Sequence, residues 1–431
     1  PRPLSIHAEP MPGTRLPFEV YHAQGSYYVK NNRGAWYKIN LMDLQRKLKS
    51  FGYDSKIDKK EGGLLSHQDR AILAIQDQCT IDTVGPLAGY SAGLVEVKHN
   101  LHLVTSSAPP LKAELGPWPT LERFFRALLD DEQRTYFFSW LHVARKNVLT
   151  PTTWMAGQMV VLAGAAGTGK TLCQERVITP LLGGSADPFQ YITGLTSFNS
   201  DLIAAPHLSM GDPPLQPDNR TKRMFGSNLK NMAVNSEQRF HGKGQNAVSV
   251  YPKWRISLSC NMEASEFAGL PNLDDSVKEK LMLFKVMPGG VPANVANDDF
   301  NDAITAELPA FAHYIDNWRV PEELYERRFQ VKSYLHPDLE KLIRAHDPAE
   351  RFWVALQSEL FYGGAKLTEW EGTEHDLRVH LQQAEILFTR FTGSESLLPD
   401  YLTRLSKVHE KYLYVVHETK TTRTWHIKKE E

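Results

Sequence analysis

"MVVLAGAAGTGKTL", residues 159–172, decides how the rest of the chain is read. Its core, Gly164-Ala165-Ala166-Gly167-Thr168-Gly169-Lys170-Thr171, fits the pattern G-x-x-x-x-G-K-[ST]. Glycines let successive backbone N–H groups turn inward and approach phosphate oxygens that any Cβ would block. Lys170 is placed to reach the β- and γ-phosphates of a nucleotide, and the Thr171 hydroxyl to sit on Mg2+. The surroundings agree. Met159 to Ala163 is a short apolar run suited to a buried strand, and Leu172 onward continues as a helix whose start favours an anion. A Gly/Ala loop with a chance lysine is the bland alternative, and the strand before and helix after weigh against it.

Working outward, a length of 431 residues calls for about two to four domains. An apolar content of 42% and a net charge of −1 are those of a soluble globular chain. Neutrality argues neither for nor against nucleic acid, because patches matter more than sums. No apolar run approaches the ~20 residues that cross a bilayer, so no membrane partner is expected. No signal peptide is visible in these residues, and a start at Pro1 rather than Met leads us to expect a longer parent with an upstream domain. Cys79, Cys173 and Cys260 are scattered without metal-ligand spacing, as in a reducing cytoplasm. Each reads as a core residue, with reactivity as the alternative for Cys173 beside the phosphate loop.

Four domains are expected: a 1–112 α/β module, a 113–150 helical linker or collar, a 151–320 nucleotide-binding domain, and a 321–431 carboxy-terminal domain. In the first, "SYYVKNNRGAWYKI" reads as a hairpin around Asn31-Asn32-Arg33-Gly34, "LMDLQRKLKSFG" as a helix stopping at Gly52, and "GLVEVKHNLHLVT" as strands. "TLERFFRALLDDEQRTYFFSWLHVARKNVL" reads as two amphipathic helices joined near Asp130-Asp131. At the other end, Asp347, Pro348 and Glu350 in "DPAERFWVALQSEL" signal a helix start, as does Thr373 in "TEHDLRVHLQQAE". The chain closes on two β-prone runs around a basic turn, "KYLYVVHETKTTRTWHIKK". Helices followed by such a hairpin suggest a winged helix with Lys420 and Arg423 on its wing. Wings dock on duplex phosphates, and many serve only protein contacts.

A working ATPase also needs an acidic residue on a neighbouring strand to hold Mg2+, and a carboxylate to orient water. Asp212 in "AAPHLSMGDPP" is the metal-side candidate, with a simple turn as its alternative. Pro213 stands where the water-orienting glutamate is expected, with Asp201, Glu263 or Glu266 as substitutes from elsewhere. "RISLSCN" is a β-rich run ending in Asn261, an amide suited to contact a γ-phosphate or hold the lytic water. Between them "RFHGKGQNAVSV" reads as a hairpin with His241 and Lys243 at its tip. Such a tip grips phosphate backbones or is merely solvated.

The order of these parts, with the lysine-bearing "LKNMAV" before the hairpin, resembles a superfamily 3 helicase. More closely, it resembles the helicase part of phage, plasmid and poxvirus-type primase-helicases. "VSVYPKWRISLSCNMEAS" is similar to that group's hairpin-to-sensor passage, "LDDSVKEKLMLFKV" to the segment after it, and "AELPAFAHYIDNW" to its helical lid. The resemblance implies an α/β, P-loop AAA+-like core, preceded by a small α/β domain and helical linker and followed by a winged-helix-like domain. It implies ATP held by Gly164 to Thr171, Mg2+ held by Thr171 and Asp212, Asn261 as γ-phosphate sensor, and Lys243 with His241 as a DNA-tracking tip. Members assemble as rings, commonly hexamers, and lend a basic finger to a neighbour's site. Lys278 and Lys280 occupy that segment, with Arg220 and Arg223 as alternatives.

The implied function is an ATP-dependent replicative helicase of a phage, plasmid or mobile element. It would track 3′ to 5′ on single-stranded and forked DNA in a bacterial cytoplasm, with a primase as companion. A nucleotide-switched loading protein that hardly hydrolyses is the alternative, and Pro213 favours it. A kinase using the same cradle has no recognisable acceptor site.

Overall fold

The structure, a computed structural model, describes residues 16–57, 64–97, 100–150, 153–212, 218–240, 248–263, 267, 269–290, 297–362, 367–383, 395–419 and 422–430. Strands β1 (Val20–Ala23), β2 (Ser26–Lys30) and β3 (Trp36–Ile39) form an antiparallel sheet. Asn31 makes the turn expected between β2 and β3. Its Oδ1 accepts the N–H groups of Arg33 at 2.9 Å and Ala35 at 3.0 Å, and Gly34 takes φ +79°. The helix Leu41–Ser50 begins on the Asn40 side chain, and Gly52 beyond its end takes φ +89°. A second helix, His67–Gln78, starts on a capping box of Ser66 and Asp69. Leu44, Leu48, Ile72 and Ile75 close over Val20, Tyr27 and Val29. Three further strands, β4 (Thr83–Gly85), β5 (Gly93–Val97) and β6 (Asn100–Val104), pair in the order β4-β6-β5.

The long helical stretch is two helices, Pro119–Leu128 and Asp131–Leu149. Asp130 caps the second by accepting the Gln133 N–H at 2.8 Å. With Asn297–Asp316 they enclose an aromatic core that includes Phe124, Phe125, Phe137, Phe138, Trp140 and Phe311. Buried Arg145 ties them together. Its Nε donates to Asp316 Oδ1 at 2.7 Å, and its other nitrogens donate to the carbonyls of Leu181 and Leu111.

Beneath these helices lies a six-stranded sheet. Its members are β7 (Met159–Ala163), β8 (Ser185–Ala186), β9 (His207–Gly211), β12 (Arg255–Cys260), β13 (Leu281–Lys285) and β14 (Tyr334–Leu335). The order is β14-β13-β7-β12-β9-β8, and the pairs from β13 to β8 are parallel. A parallel strand covered on both faces must be apolar throughout, and every residue of β7 is 0% exposed. Between β9 and β12 the chain forms the helix Asn219–Val234 and an antiparallel hairpin, β10 (Gln238–Phe240) with β11 (Val248–Val250).

Packing divides the chain into two units. The first is Pro1–Pro213, Asn228–Cys260 and Glu279–Tyr334, and the second is Pro214–Ser227, Asn261–Lys278 and Leu335–Glu431. The described residues of the second unit's carboxy-terminal part include the helices Pro337–Ala345, Pro348–Gln357, Glu374–Gln383 and Leu398–Val408, with a three-stranded sheet. Its strands β15 (Glu369–Thr373), β16 (Leu413–Glu418) and β17 (Arg423–Lys428) are antiparallel in the order β15-β17-β16. Phe352, Trp353, Leu377, Leu402, Trp425 and Ile427 form the core. Asp347 caps its helix as expected, accepting the Ala349 N–H at 2.9 Å. Glu350 instead meets His409 Nε2 at 2.8 Å. Strand β15 was not expected from the sequence: two glutamates and a glycine in five residues hide it.

Candidate nucleotide-binding site

The loop Gly164–Gly169 leaves the C-terminal end of β7, between two parallel neighbours. Ligand crevices of parallel sheets open at that edge. The Gly164 N–H donates to Cys260 O at 3.3 Å, and a Cβ on Gly164 would come within 2.7 Å of Val286 O. Gly167 and Gly169 take φ +74° and +97°, where an L side chain is strained. Gly169 is also the N-cap of the helical turn Lys170–Leu172. A glycine that sequence reasoning missed, Gly290, packs on the loop from outside: its Cβ would stand 3.0 Å from Thr168 O.

Lys170 is 4% exposed, and its Nζ donates to Gly164 O at 2.9 Å and Ala165 O at 2.8 Å. The ammonium therefore lies inside its own loop, and a phosphate oxygen is a stronger, charge-assisted acceptor than either carbonyl. Thr168 Oγ1 bonds Ala165 O at 2.9 Å, while Thr171 is exposed on the first turn. Left-handed glycines, an inward ammonium, an exposed hydroxyl and a helix start together fit a nucleotide's phosphates with Mg2+.

Asp212 directly follows β9 at the same sheet edge, since Gly211 is level with Ser259 and Ser259 with Leu162. It is exposed, takes φ +41° and donates its N–H to Ser259 O at 3.0 Å. A non-glycine residue in that region costs about 1–3 kcal/mol, and such residues cluster at functional sites. Asn261 is the half-buried residue that follows β12. Asp201 and Glu263 are both exposed. Asp201 lines a cavity of about 350 Å3 with Asp187, Gln190, Tyr191, Thr196 and Phe198. Pro213 and Glu266 lie outside the described residues.

The four finger candidates differ. Lys278 Nζ is 3.1 Å from Glu340 Oε1, and Lys280 is buried against Glu279. Arg220 and Arg223 are exposed on the first turns of Asn219–Val234. His241, Lys243 and Lys420 lie outside the described residues, although β10 and β11 pair up to Phe240 and Val248. Arg423 opens β17, with its Nε donating to Glu418 Oε1 at 2.7 Å. Cys173 is wholly buried, and burial pushes its thiol far above the usual range, as for a core residue rather than a nucleophile. Among the described residues no cluster of three or more His, Cys, Asp or Glu could hold a metal, and no helix is long and apolar enough to cross a membrane.

No protein-family model matches the chain. No curated protein matches it either. Among solved structures, an apo structure of the NrS-1 C-terminal region superposes with a TM-score of 0.56 at 12% identity, covering 95% of this chain and 96% of that one. A second form of that region gives 0.55 at 11% identity over the same shares. The chain shares the fold of the NrS-1 C-terminal region. The likeness to NrS-1 runs nearly end to end, so it takes in both packing units and not the phosphate-loop sheet alone. The SCCmec type IV Cch active helicase aligns over 89% of this chain and 71% of that one at 14% identity, but a TM-score of 0.30 does not establish a common fold.

Sequence reasoning also missed a buried polar circuit behind the loop, formed by Gln174, His207 and Ser257. The signal was present: "HLSMG" and "RISLSC" carry a histidine and serines inside otherwise apolar strands.

Proposed function

We propose that the chain is a ring-forming, ATP-dependent DNA helicase of the superfamily 3 type, acting in replication of a phage, plasmid or other mobile element. The observation that carries this reading is the place of the hairpin. Strands β10 and β11 lead directly into β12, and β12 lies beside β7 with its last carbonyl bonded to the first glycine of the phosphate loop. The hairpin whose sequence carries His241 and Lys243 is therefore joined by a short connection to the strand that borders the nucleotide cradle.

When bound, ATP with Mg2+ supplies the free energy of phosphoryl transfer. The chain's part is to bind and to sense. The loop's N–H groups and Lys170 hold phosphate oxygens, Thr171 and Asp212 hold the metal, and Asn261 reports the γ-phosphate. Arg220 or Arg223 is the better finger to complete a neighbour's site, because each is an exposed arginine whose planar fork suits a phosphate, whereas Lys280 is a buried lysine. Lys243 and His241 grip one DNA strand, and the hairpin moves because the nucleotide states favour different positions for it. We read the carboxy-terminal helices and the β16–β17 hairpin as a winged helix, with Lys420 and Arg423 assigned to its wing.

Pro213 supports the second reading, an ATP-switched loading protein with little hydrolysis. A forked duplex with one labelled strand separates the two. The helicase reading expects displacement that requires ATP and Mg2+ and is abolished in Lys170→Ala and Lys243→Ala, with nucleotide binding retained in the latter. Tight nucleotide binding without displacement, with or without single-stranded DNA to stimulate it, would overturn it in favour of the loader.

A further inference from the structure

Directly after Lys170–Leu172 the helix widens into a π-helical stretch, Cys173–Ile178, and tightens again at Thr179–Leu182. Such stretches are rare, and those found are frequently at functional sites. Within this one, Gln174 is 0% exposed. Its Nε2 donates to Ser257 Oγ on β12 at 2.7 Å and to Met210 O on β9 at 3.2 Å. Ser257 Oγ also meets His207 Nε2 at 2.7 Å, and His207 Nδ1 meets Thr179 Oγ1 at 2.8 Å, which returns the circuit to the helix it left.

Two buried atoms, Gln174 Oε1 and Ser259 Oγ, have no hydrogen-bond partner among the described residues. An unused buried acceptor or donor costs about 1–3 kcal/mol, so an apolar side chain would serve packing better than this glutamine does. What the amide adds is geometry. It joins the helix that starts at Lys170 and Thr171 to Met210, two residues before Asp212, and to β12, whose Ser259 carbonyl accepts the Asp212 N–H.

We propose that Gln174 is a positioning residue: it sets the spacing between the phosphate-binding turn and the end of β9, so that Thr171 and Asp212 bear on a single Mg2+. This rests on the nucleotide-site reading above. Thr179 anchors the far side of the same circuit and reaches β9 only at its first residue, His207, so it serves as the scaffold control.

The test is equilibrium binding of a fluorescent ATP analogue to the full chain, with Mg2+ and with EDTA, in parallel with melting temperatures. The wild type is expected to bind about tenfold or more tighter with Mg2+, a gain worth about 1.4 kcal/mol, and Asp212→Asn to lose that gain. Gln174→Leu should match the wild type in EDTA while its Mg2+ gain collapses. Thr179→Val should keep the gain at a similar loss of melting temperature. Should Gln174→Leu not fold, Gln174→Met, unbranched and close in length, carries the same expectation. A folded Gln174 variant with the full Mg2+ gain, or a Thr179→Val variant that loses it equally, overturns the proposal while leaving the nucleotide site intact. A wild type that gains nothing from Mg2+ overturns the Asp212 assignment and this inference with it.

Discussion

Asp212 shows how much of a site one residue type can disclose. A carboxylate after an apolar strand is readable from sequence as a candidate metal ligand, but its φ of +41° is not, because backbone strain leaves no mark in composition. Histidines pose the reverse problem, since sequence gives the residue and only burial gives its charge. His207 and His102 are buried, and burial pushes their pKa values from 6.5 down to about 3 and about 4. His102 stays neutral, accepting from Thr83 Oγ1 at Nδ1 and donating from Nε2 to Gly85 O at 3.1 Å. A histidine with a lowered folded pKa binds fewer protons folded than unfolded. Its stabilising contribution is therefore complete above about pH 6.5 and is lost as pH falls toward about 4. At pH 5.5 each such histidine lowers stability by about 1.4 kcal/mol. We expect a lower melting temperature at pH 5.5 than at pH 7.5, and a smaller drop in His102→Gln. An equal drop in that variant would contradict the assignment.

At the scale of elements, what the sequence disclosed was local. The helix join at Asp130, the Asn31 turn, the cap at Asp347 and the run of β7 were all readable, because caps, turns and fully buried strands are written in neighbouring residues. The missed pieces depend on distant partners. Strand β15 exists through its pairing with β17, Gly290 matters through Thr168, and Gln174 in the π-helical stretch bonds to two strands. Arg145 is of the same kind, an arginine in an apolar helix whose carboxylate lies far along the chain at Asp316. Removing one partner of a buried pair leaves an uncompensated charge and costs about 3–5 kcal/mol. Urea denaturation of Arg145→Ala should show a loss of that size, and the double variant Arg145→Met with Asp316→Leu a much smaller one. Equal losses in the two would mean that the pair acts through packing alone.

On the scale of the whole molecule, the nucleotide-binding reading came from one loop, and the sheet around it agrees with that loop: the phosphate turn, the Asp212 strand end and the strand before Asn261 all end at one edge. Partners were less legible. A net charge of −1 conceals any basic face, and both tips assigned to DNA carry only a few cations. The proposal that the β16–β17 hairpin is a DNA-binding wing is testable without removing its core residues, since Trp425 and Ile427 are buried while Arg423 is not. Lys420→Ala and Arg423→Ala should each weaken duplex binding modestly and reduce the salt slope by about one per lost phosphate contact. Unchanged affinity and slope would assign the wing to protein contacts.

The central claim is that adjoining subunits complete one another's nucleotide sites around a DNA strand. Light scattering measures this most directly, on the purified chain with a non-hydrolysable ATP analogue, Mg2+ and a single-stranded oligonucleotide. The account predicts a closed assembly of several chains that forms with the analogue and fails to form in Lys170→Ala. A single-chain mass under every nucleotide and oligonucleotide tried would contradict it.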